Sequence, residues 1–396
     1  MTAKIGYLVP QFPGQTHIFF WREIAALEAM GAQVVLISTR KPPAGLIAHD
    51  WSAQAMARTS YLGAVKPMQA LAALTALPRD EMRREGADFV RDLALSAAAA
   101  RQLLALCRAQ GIGHVHVHSC GRAALIAALA RQMGGPRYSL TLHGPLADYG
   151  PGQRYKWRGA AFATIITEKL LAEVRAALAP DLPARLVVQP MGVDTDTLRR
   201  DAPYAPHVPG GPLRIFSCGR LNIVKGHQDL MEALRLLRDR GIDARLDIAG
   251  EDDAGGTGYR ATLDARIRDL DLGAHVRLLG AIDADAVKAH LLSAHIFALA
   301  SWAEPLGVAL MEAMACEVPT IGTAAGGVAE LITHGRHGIL VPPQDPAALA
   351  EAIAALATDP ARCRALGQAG RARVVADFGA ARGARTLLDE IAAAQG

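Results

Sequence analysis

The amino-acid sequence predicts an α/β protein made of two doubly wound domains, each a parallel sheet with helices on both faces. Three observations carry this. Short β-branched or aromatic runs alternate with longer segments of helical apolar period along the whole chain. The alternation is interrupted once, by DAPYAPHVPGGP at 201–212, which is dense in Pro and Gly and has no period, and then restarts. The length of 396 residues exceeds what one ordinary core serves. Residues 1–200 are read as the first domain, 201–212 as a linker, and the second domain is read from 213 onward.

In the first half IGYLVP is a strand, and THIFFWREIAALEAMG is an amphipathic helix ending at Gly31. QVVLIST is the next strand. Residues 66–110, rich in Ala and Leu with interspersed Arg, read as helices. HVHVHS, YSLTLHG, ATIIT and LVVQP read as strands, with GRAALIAALARQMG and LLAEVRAAL as helices between them. The second half repeats the scheme. RIFSCGR, ARLDIAG, VRLLG, IFALAS and PTIGT are strands, separated by the helical QDLMEALRLLRDRG, YRATLDARIRDLDLG, DAVKAHLLSA and the helix beginning in SWAEPLGVALMEAMA. Helices run from Pro346 to the end. Two such domains imply a cleft, and in open α/β sheets ligands bind beyond the carboxyl ends of the strands.

Composition narrows the class. At 51% hydrophobic and 20% charged residues the chain is globular. The five cysteines, Cys107, Cys120, Cys218, Cys316 and Cys363, are scattered and form no CxxC, which suits free thiols in a reducing compartment. The opening MTAKIGYLVPQFPG has no long apolar run with a cleavage site, so no secretory leader is expected, and no stretch is long enough to span a bilayer; a cytoplasmic chain is expected. Residues 1–200 hold 23 Lys and Arg against 14 Asp and Glu, and the remainder 19 against 24. The basic first half suits an anionic surface, including peripheral docking on a membrane; scattered solvated charges give the same count.

The strand-to-helix loops carry the chemistry. In SWAEPLGVALMEAMA, Glu304 and Glu312 are eight positions apart. Pro305 disfavours helical backbone at Glu304 and suits the first helical position itself. The N–H groups of Leu306, Gly307 and Val308 are then expected in the first turn, a site for phosphate. Glu312, on the same side, could accept hydrogen bonds from ribose or sugar hydroxyls; the spacing equally suits an amphipathic helix with two solvated glutamates. In SCGRLNIVKGHQDL, Arg220 and Lys225 place two cations on one loop, fit for a diphosphate or simply exposed. His143 and Gly144 end the strand of YSLTLHG, where His143 can donate a hydrogen bond to a sugar, carry a proton, or serve structure. Gly14, in the first strand-to-helix loop with Thr16 and His17, allows close approach of a ligand or makes a plain turn.

Metal and nucleic-acid readings are weaker. His114, His116 and His118 share one face of a strand but diverge along it, so structural roles are preferred to zinc, with His118 near the cleft rim. The triplets Asp194-Thr195-Asp196 and Asp283-Ala284-Asp285 sit where acidic caps are ordinary and are read as structural. No GxSxG, HExxH or basic-aromatic interleaving occurs, so no nucleic-acid partner is expected.

Together these segments resemble the retaining family 4 glycosyltransferases of GT-B fold, two Rossmann-like domains facing a cleft. GRLNIVKG, LDIAGE, HVRLLGAI, IFALASWAEPLGVALMEAMACEVPTIGTAAGGVAELI and HGILVPPQDPAALAEAI follow the family pattern in order. TLHG, the TE of IITEKL and MGVD at 191–194 fit it in the first half, and PQFPGQTHIFFWREIAAL resembles the branch that builds exopolysaccharide and colanic-acid-type polymers. The resemblance implies an acceptor-binding first domain, a nucleotide-sugar donor-binding second domain at 213–375, and a last helix at 376–396 crossing back onto the first. It implies that Arg220 and Lys225 bind the donor diphosphate, that Glu304 holds the donor sugar, and that Gly307 and Val308 give backbone N–H groups. Glu312 would take the ribose, the stretch Arg277–Gly280, with Gly280, would lie near the base, Gly14 would meet the phosphates, and His143 the sugar. The implied reaction transfers a hexosyl unit with retention, with no metal, cofactor or protein nucleophile, to a glycan or lipid-linked oligosaccharide. An inactive donor-binding subunit, another enzyme on the fold, a non-enzymatic binding module, or a transferase with a small soluble acceptor are the alternatives. The chain departs from the family in having one Gly in the first loop where many members have two, in the late Asp148 of HGPLADY, and in His295 in place of Asp.

Overall fold

The computed structural model describes residues 4–14, 16–43, 50–63, 78–252 and 258–395. The chain forms two compact units. The first contains Met1–Pro42, Trp51–Pro190 and Gly383–Gly396; the second contains Pro43–Asp50 and Met191–Arg382.

The first unit is built on β1 (Lys4–Gln11), β2 (Gln33–Arg40), β3 (Ser60–Tyr61), β4 (His114–Val117), β5 (Arg137–Leu142), β6 (Ala163–Ile165) and β7 (Leu186–Val188). They lie in the order β3-β2-β1-β4-β5-β6-β7, every pair parallel. β1 is an interior strand, and Ile5, Tyr7, Leu8 and Val9 are all buried, as expected of a strand covered on both faces. The helix Ile18–Ala29 packs through Phe20, Glu23, Ile24 and Leu27, a helical stripe that includes one carboxylate. Of the expected helices at 66–110, residues 66–77 lie outside the described residues; the rest forms Arg79–Glu85 and Ala87–Gln110, separated at Gly86. Ser52–Arg58, β3 and Gln153–Arg158 were not legible, being too short to show a period. β4 stops at Val117, so His118 belongs to the loop beyond the strand.

The second unit repeats the design with β8 (Leu213–Cys218), β9 (Ala244–Ala249), β10 (Val276–Gly280), β11 (Ile296–Leu299), β12 (Thr320–Thr323) and β13 (Ile339–Val341), in the order β10-β9-β8-β11-β12-β13, again all parallel. The helix His227–Asp239 contributes Leu230, Met231, Leu234 and Leu237 to a core completed by Ile215, Ile248, Ile353 and Leu356. In each sheet the strand order reverses once, between β1 and β4 and between β8 and β11. Those two switch points are where such sheets open a crevice at the carboxyl ends of their strands.

The segment 201–212, expected as a linker, lies inside the second unit, because the chain leaves the first unit at Pro190. Its Pro and Gly content gave it no regular structure, but it is held by side chains. Tyr204 is buried and donates to the His295 carbonyl at 2.6 Å, and His207 bonds the Ala357 and Gly211 carbonyls. The final helix, Ala380–Gln395, belongs to the first unit from Gly383 onward. There buried Glu390 accepts two bonds from Arg185, each 2.6 Å, and Thr386 donates to Gln189 at 2.9 Å. Among the described residues no helix is long and apolar enough to cross a membrane.

Tyr204→Ala should therefore cost about 3 kcal/mol in urea unfolding, and Tyr204→Phe about 1 kcal/mol for the hydrogen bond alone. A neutral Tyr204→Ala would show that 201–212 is a free linker after all.

Candidate active site

In the second unit the site is assembled from loops at the carboxyl ends of adjacent strands. Beyond β8 the chain makes a tight turn. Asn222 caps Ile223–Lys225, its Oδ1 accepting from the Lys225 N–H at 3.2 Å, and Gly226 then opens the helix His227–Asp239. This turn aims Lys225 at the loop after β11, where its Nζ donates to Glu304 Oε2 at 2.5 Å. Ser301 Oγ donates to the same oxygen at 3.3 Å. The Lys225 side chain is 18% exposed and that of Glu304 10%, so the pair is largely withdrawn from water and less screened than a surface pair.

The loop carrying Glu304 is locked at both ends. The Trp302 N–H donates to the Val224 carbonyl at 2.8 Å, and its indole N–H to Asp229 Oδ2 at 2.6 Å. Thr323 Oγ1 donates to the Ser301 carbonyl at 2.5 Å, and the Gly327 N–H to the Glu304 carbonyl at 2.9 Å. Burial raises the Asp229 carboxyl above its usual range, with the Trp302 bond opposing. Gly326 has φ +64°, and a Cβ there would stand 2.0 Å from the Glu304 carbonyl oxygen, so no other residue fits that turn.

The helix after Glu304 starts later than expected. It spans Val308–Ala315 with Gly307 as its N-cap at φ +96°. Pro305 is thus not its first residue, and Leu306 and Gly307 precede its first turn. The backbone bond to Gly327 draws Glu304 and Pro305 away, and only Gly307 in the left-handed region turns the chain back into the helix. Val308 does open that turn, whose leading N–H groups have no intrahelical acceptor. Glu312 is buried in this helix and faces the end of β8: burial first, then the Glu312 charge, pushes the Cys218 thiol up to about 12, with Lys225 opposing. Arg220 is exposed, and its carbonyl accepts from the Asn222 N–H. Gly280 ends β10 and its carbonyl accepts from the Gly250 N–H at 2.9 Å, while Leu221 N–H donates to the Glu251 carbonyl at 3.1 Å, which laces the loops after β8, β9 and β10 together. Arg277 is an exposed partner of Asp247, bonded at 2.6 and 2.5 Å.

In the first unit, Gly14 follows β1. The His17 N–H donates to its carbonyl at 3.0 Å, and the His17 ring packs so closely that a Cβ on Gly14 would lie 2.6 Å from Nδ1. His143 follows β5 and lies at the head of a polar chain. Its Nε2 is 3.2 Å from His118 Nδ1, His118 Nε2 is 3.0 Å from Glu23 Oε2, and the Tyr7 hydroxyl donates to Glu23 Oε2 at 2.6 Å. Tyr7 and Glu23 escaped the sequence reading. The available signal was a carboxylate at position 23 on the stripe of Phe20, Ile24 and Leu27. The other histidines do not converge. His114 Nε2 and His116 Nδ1 both contact Ser139 Oγ at 2.7 Å, and His116 Nε2 contacts Thr141 Oγ1 at 2.8 Å. Asp194 bonds its own turn at Asp196 and Thr197, and Asp283 caps the helix Ala284–Ser293.

Burial governs the titration of this network. It lowers His143 to about 3, with His118 adding to it, and His118 to about 3; His114 falls to about 4 and His116 well below its ordinary value. Burial raises Glu23, with His116, Tyr7 and His143 opposing. His143 is therefore a neutral imidazole, a hydrogen-bonding group rather than a cationic acid.

Two outcomes follow. Gly326→Ala must displace the Glu304 backbone and should lower stability by roughly 2–4 kcal/mol, read from the urea midpoint; an unchanged midpoint would show that the turn relaxes freely. A histidine whose native pKa is depressed stabilises fully above the unfolded value near 6.5 and loses that contribution as pH falls, because the unfolded chain takes the proton first. His114→Gln should thus lose less stability between pH 7 and pH 5 than the parent, by on the order of 1–2 kcal/mol. Glu23, being raised, acts in the opposite sense, and an equal slope in both proteins would mean His114 is not held neutral.

Comparison with known proteins gives this geometry a context. Residues 201–373 match the family described as glycosyl transferases group 1. The chain is 29% identical over 381 residues, covering 89% of itself and 90% of the relative, to WcaL of Escherichia coli (strain K12), which is named for colanic acid biosynthesis as a glycosyltransferase. It is 32% identical over 266 residues, 63% of this chain and 68% of the relative, to the GDP-mannose-dependent alpha-(1-6)-phosphatidylinositol monomannoside mannosyltransferase of Mycolicibacterium smegmatis. Among solved structures, Anabaena Alr3699/HepE in complex with UDP and glucose has a TM-score of 0.76 at 17% identity, over 98% of this chain and 99% of that one. Sucrose-phosphate synthase from Thermosynechococcus elongatus has a TM-score of 0.75 at 22% identity, over 99% and 100%. The solved structures share the two-sheet architecture. The chain belongs to the group 1 glycosyl transferase family and has the GT-B fold.

Proposed function

We propose that this chain is a retaining, metal-independent hexosyltransferase of the family 4 type. It moves a hexosyl unit from a nucleotide-diphosphate sugar to a glycan or lipid-linked oligosaccharide acceptor in surface or exopolysaccharide biosynthesis. The observation that carries the reading is the buried Lys225–Glu304 pair at the β8/β11 switch point, just ahead of the first turn of Val308–Ala315. A cation beside a helix N-terminus suits the charge that collects on a departing diphosphate. The WcaL relative and the GDP-mannose-dependent relative support the polymer and the nucleotide donor, as does the HepE complex with UDP and glucose.

In this reading Lys225 and the exposed Arg220 neutralise the diphosphate, the task a divalent metal performs elsewhere. The leading amides of Val308–Ala315 and the Gly307 turn hold phosphate or sugar. Glu304, oriented by Lys225 and Ser301, binds donor-sugar hydroxyls, and Glu312 takes the ribose. Gly280 borders the base, Gly14 admits the phosphates to the first unit, and His143 contacts the sugar. The glycosidic bond to the diphosphate breaks as the acceptor hydroxyl attacks on the same face, and the hydroxyl proton passes to the departing phosphate oxygen. Both sugar centre and leaving group stay within one preorganised field, and no enzyme carboxylate forms a bond to the sugar.

Thermal unfolding against UDP-, GDP-, ADP- and TDP-sugars should show a rise in Tm with one nucleotide class. With that donor, Lys225→Ala and Glu304→Ala should each cut kcat by about a hundredfold or more, and the product anomer should match the donor's by NMR. A Tm shift without turnover on any glycan or lipid extract would favour a donor-binding subunit; full activity in Lys225→Ala would overturn the site.

A further inference from the structure

Glu23 is a buried carboxyl group of the first unit that this chemistry leaves without a task. Glu23 sits on the inward stripe of the helix Ile18–Ala29, 7% exposed. Removing a carboxylate from water is costly unless partners receive it. One side of it meets the Tyr7 hydroxyl at 2.6 Å and His118 Nε2 at 3.0 Å; the other packs on the last helix, where a Cβ on Gly383 would lie 3.4 Å from Oε1. His118 Nδ1 in turn lies 3.2 Å from His143 Nε2.

We infer that Glu23 is a positioning residue which, through His118, fixes His143 as its Nε2–H tautomer, leaving Nδ1 as a lone pair that accepts a hydrogen bond from a sugar hydroxyl. The tautomers follow one from another. Glu23 Oε2 accepts from the Tyr7 hydroxyl, and a bare ring nitrogen 3.0 Å from that acceptor oxygen would set lone pair against lone pair, so His118 carries its proton on Nε2. That N–H is off the line to Oε2 and makes no linear hydrogen bond, so the lone pairs of the acceptor oxygen impose the choice rather than bond direction. His118 is buried and neutral and has one ring proton. Its Nδ1 therefore accepts, and the proton between the two rings belongs to His143 Nε2. His143, neutral too, then has no proton left for Nδ1. The rings are clamped against reorientation: His118 and His143 stack at 5.4 Å, Tyr7 lies 4.3 Å from His118, and Phe20 meets both edge-on at 4.9 and 5.4 Å. A lone pair facing the sugar takes a hydroxyl and repels a carboxylate, so the site selects a neutral hexosyl unit over a uronosyl one at the contacted position.

The sugar contact rests on the proposed function, whereas the tautomer does not, and the experiment separates them. In the full chain labelled with 15N-histidine, long-range proton–nitrogen spectra near neutral pH report each ring nitrogen, and His143→Gln identifies the His143 signals. The expected pattern is a pyrrole-like Nε2 and a pyridine-like Nδ1. Glu23→Gln, whose amide can donate to His118, should convert His143 to Nδ1–H or to a mixture. A pyrrole-like Nδ1 in the parent protein overturns the proposal without any variant, and unchanged His143 shifts in folded Glu23→Gln overturn the part assigned to Glu23. With a donor the parent turns over, Glu23→Gln should raise KM about tenfold while kcat changes less. Unchanged KM alongside an altered tautomer overturns the sugar contact, and a parent that turns over no donor defeats the transferase reading while the spectra still decide the tautomer.

Discussion

The ion pair between Lys225 and Glu304 is the contact around which the second unit's functional end is arranged. Each residue follows a different strand, and β8 and β11 are neighbours only because the sheet order reverses there. Holding two charges at 2.5 Å in a largely buried setting demands that both loops be rigid, and the surrounding bonds supply that rigidity. Trp302 ties one loop to the other and to Asp229, Thr323 and Gly327 tie the Glu304 loop to the next strand's loop, and Asn222 closes the turn under Lys225. Gly226, Gly307 and Gly326 are among the points where this bracing holds the backbone in left-handed conformations, and at Gly226 and Gly326 a Cβ would also strike a neighbouring carbonyl.

The first unit solves a different electrostatic problem. Its inner polar groups include a chain of histidines that burial keeps neutral, with hydroxyl partners and the carboxyl group of Glu23, whose pKa burial raises. The second unit holds a charged pair at its strand ends, and the first a chain of neutral hydrogen-bonding rings. Several acidic residues of the first half are paired with its arginines. Arg158 pairs with Glu81 and Asp181, Arg122 with Asp92, and Arg83, Arg84 and Arg91 each have a carboxylate three residues before them. Such exposed pairs contribute little to stability, and because their acids are already subtracted in the net count they leave the basic balance of this half unchanged.

How much of this was legible from residues alone differs by element. Strands such as IGYLV and RIFSC were legible because burial on both faces forces continuous apolar runs, and the long helices because their stripe repeats at 3–4 residues. The short pieces around 52–61 and 153–158 showed no period, and the segment 201–212 looked like a linker because side-chain-to-carbonyl bonds such as that of Tyr204 leave no trace in hydropathy. The start of the helix at Val308 was misplaced for a related reason: a Pro permits a helix to begin, but a backbone bond from Gly327, more than twenty residues later, decides whether it does.

Local chemistry therefore determined the fold class, the two repeats of strand and helix, and the placing of Arg220, Lys225, Glu304, Gly14 and His143 in loops just beyond strand ends, with Glu312 in the helix that follows. These follow from period, turn residues and charge, which act over a few positions. The tertiary structure alone decided which of them meet. The pairing of Lys225 with Glu304, 79 residues apart, depends on strand order, and the approach of Glu23 to His118 depends on which face of a helix packs against β1 and β4. Contacts across such separations are set by sheet topology and close packing, and no local pattern encodes them.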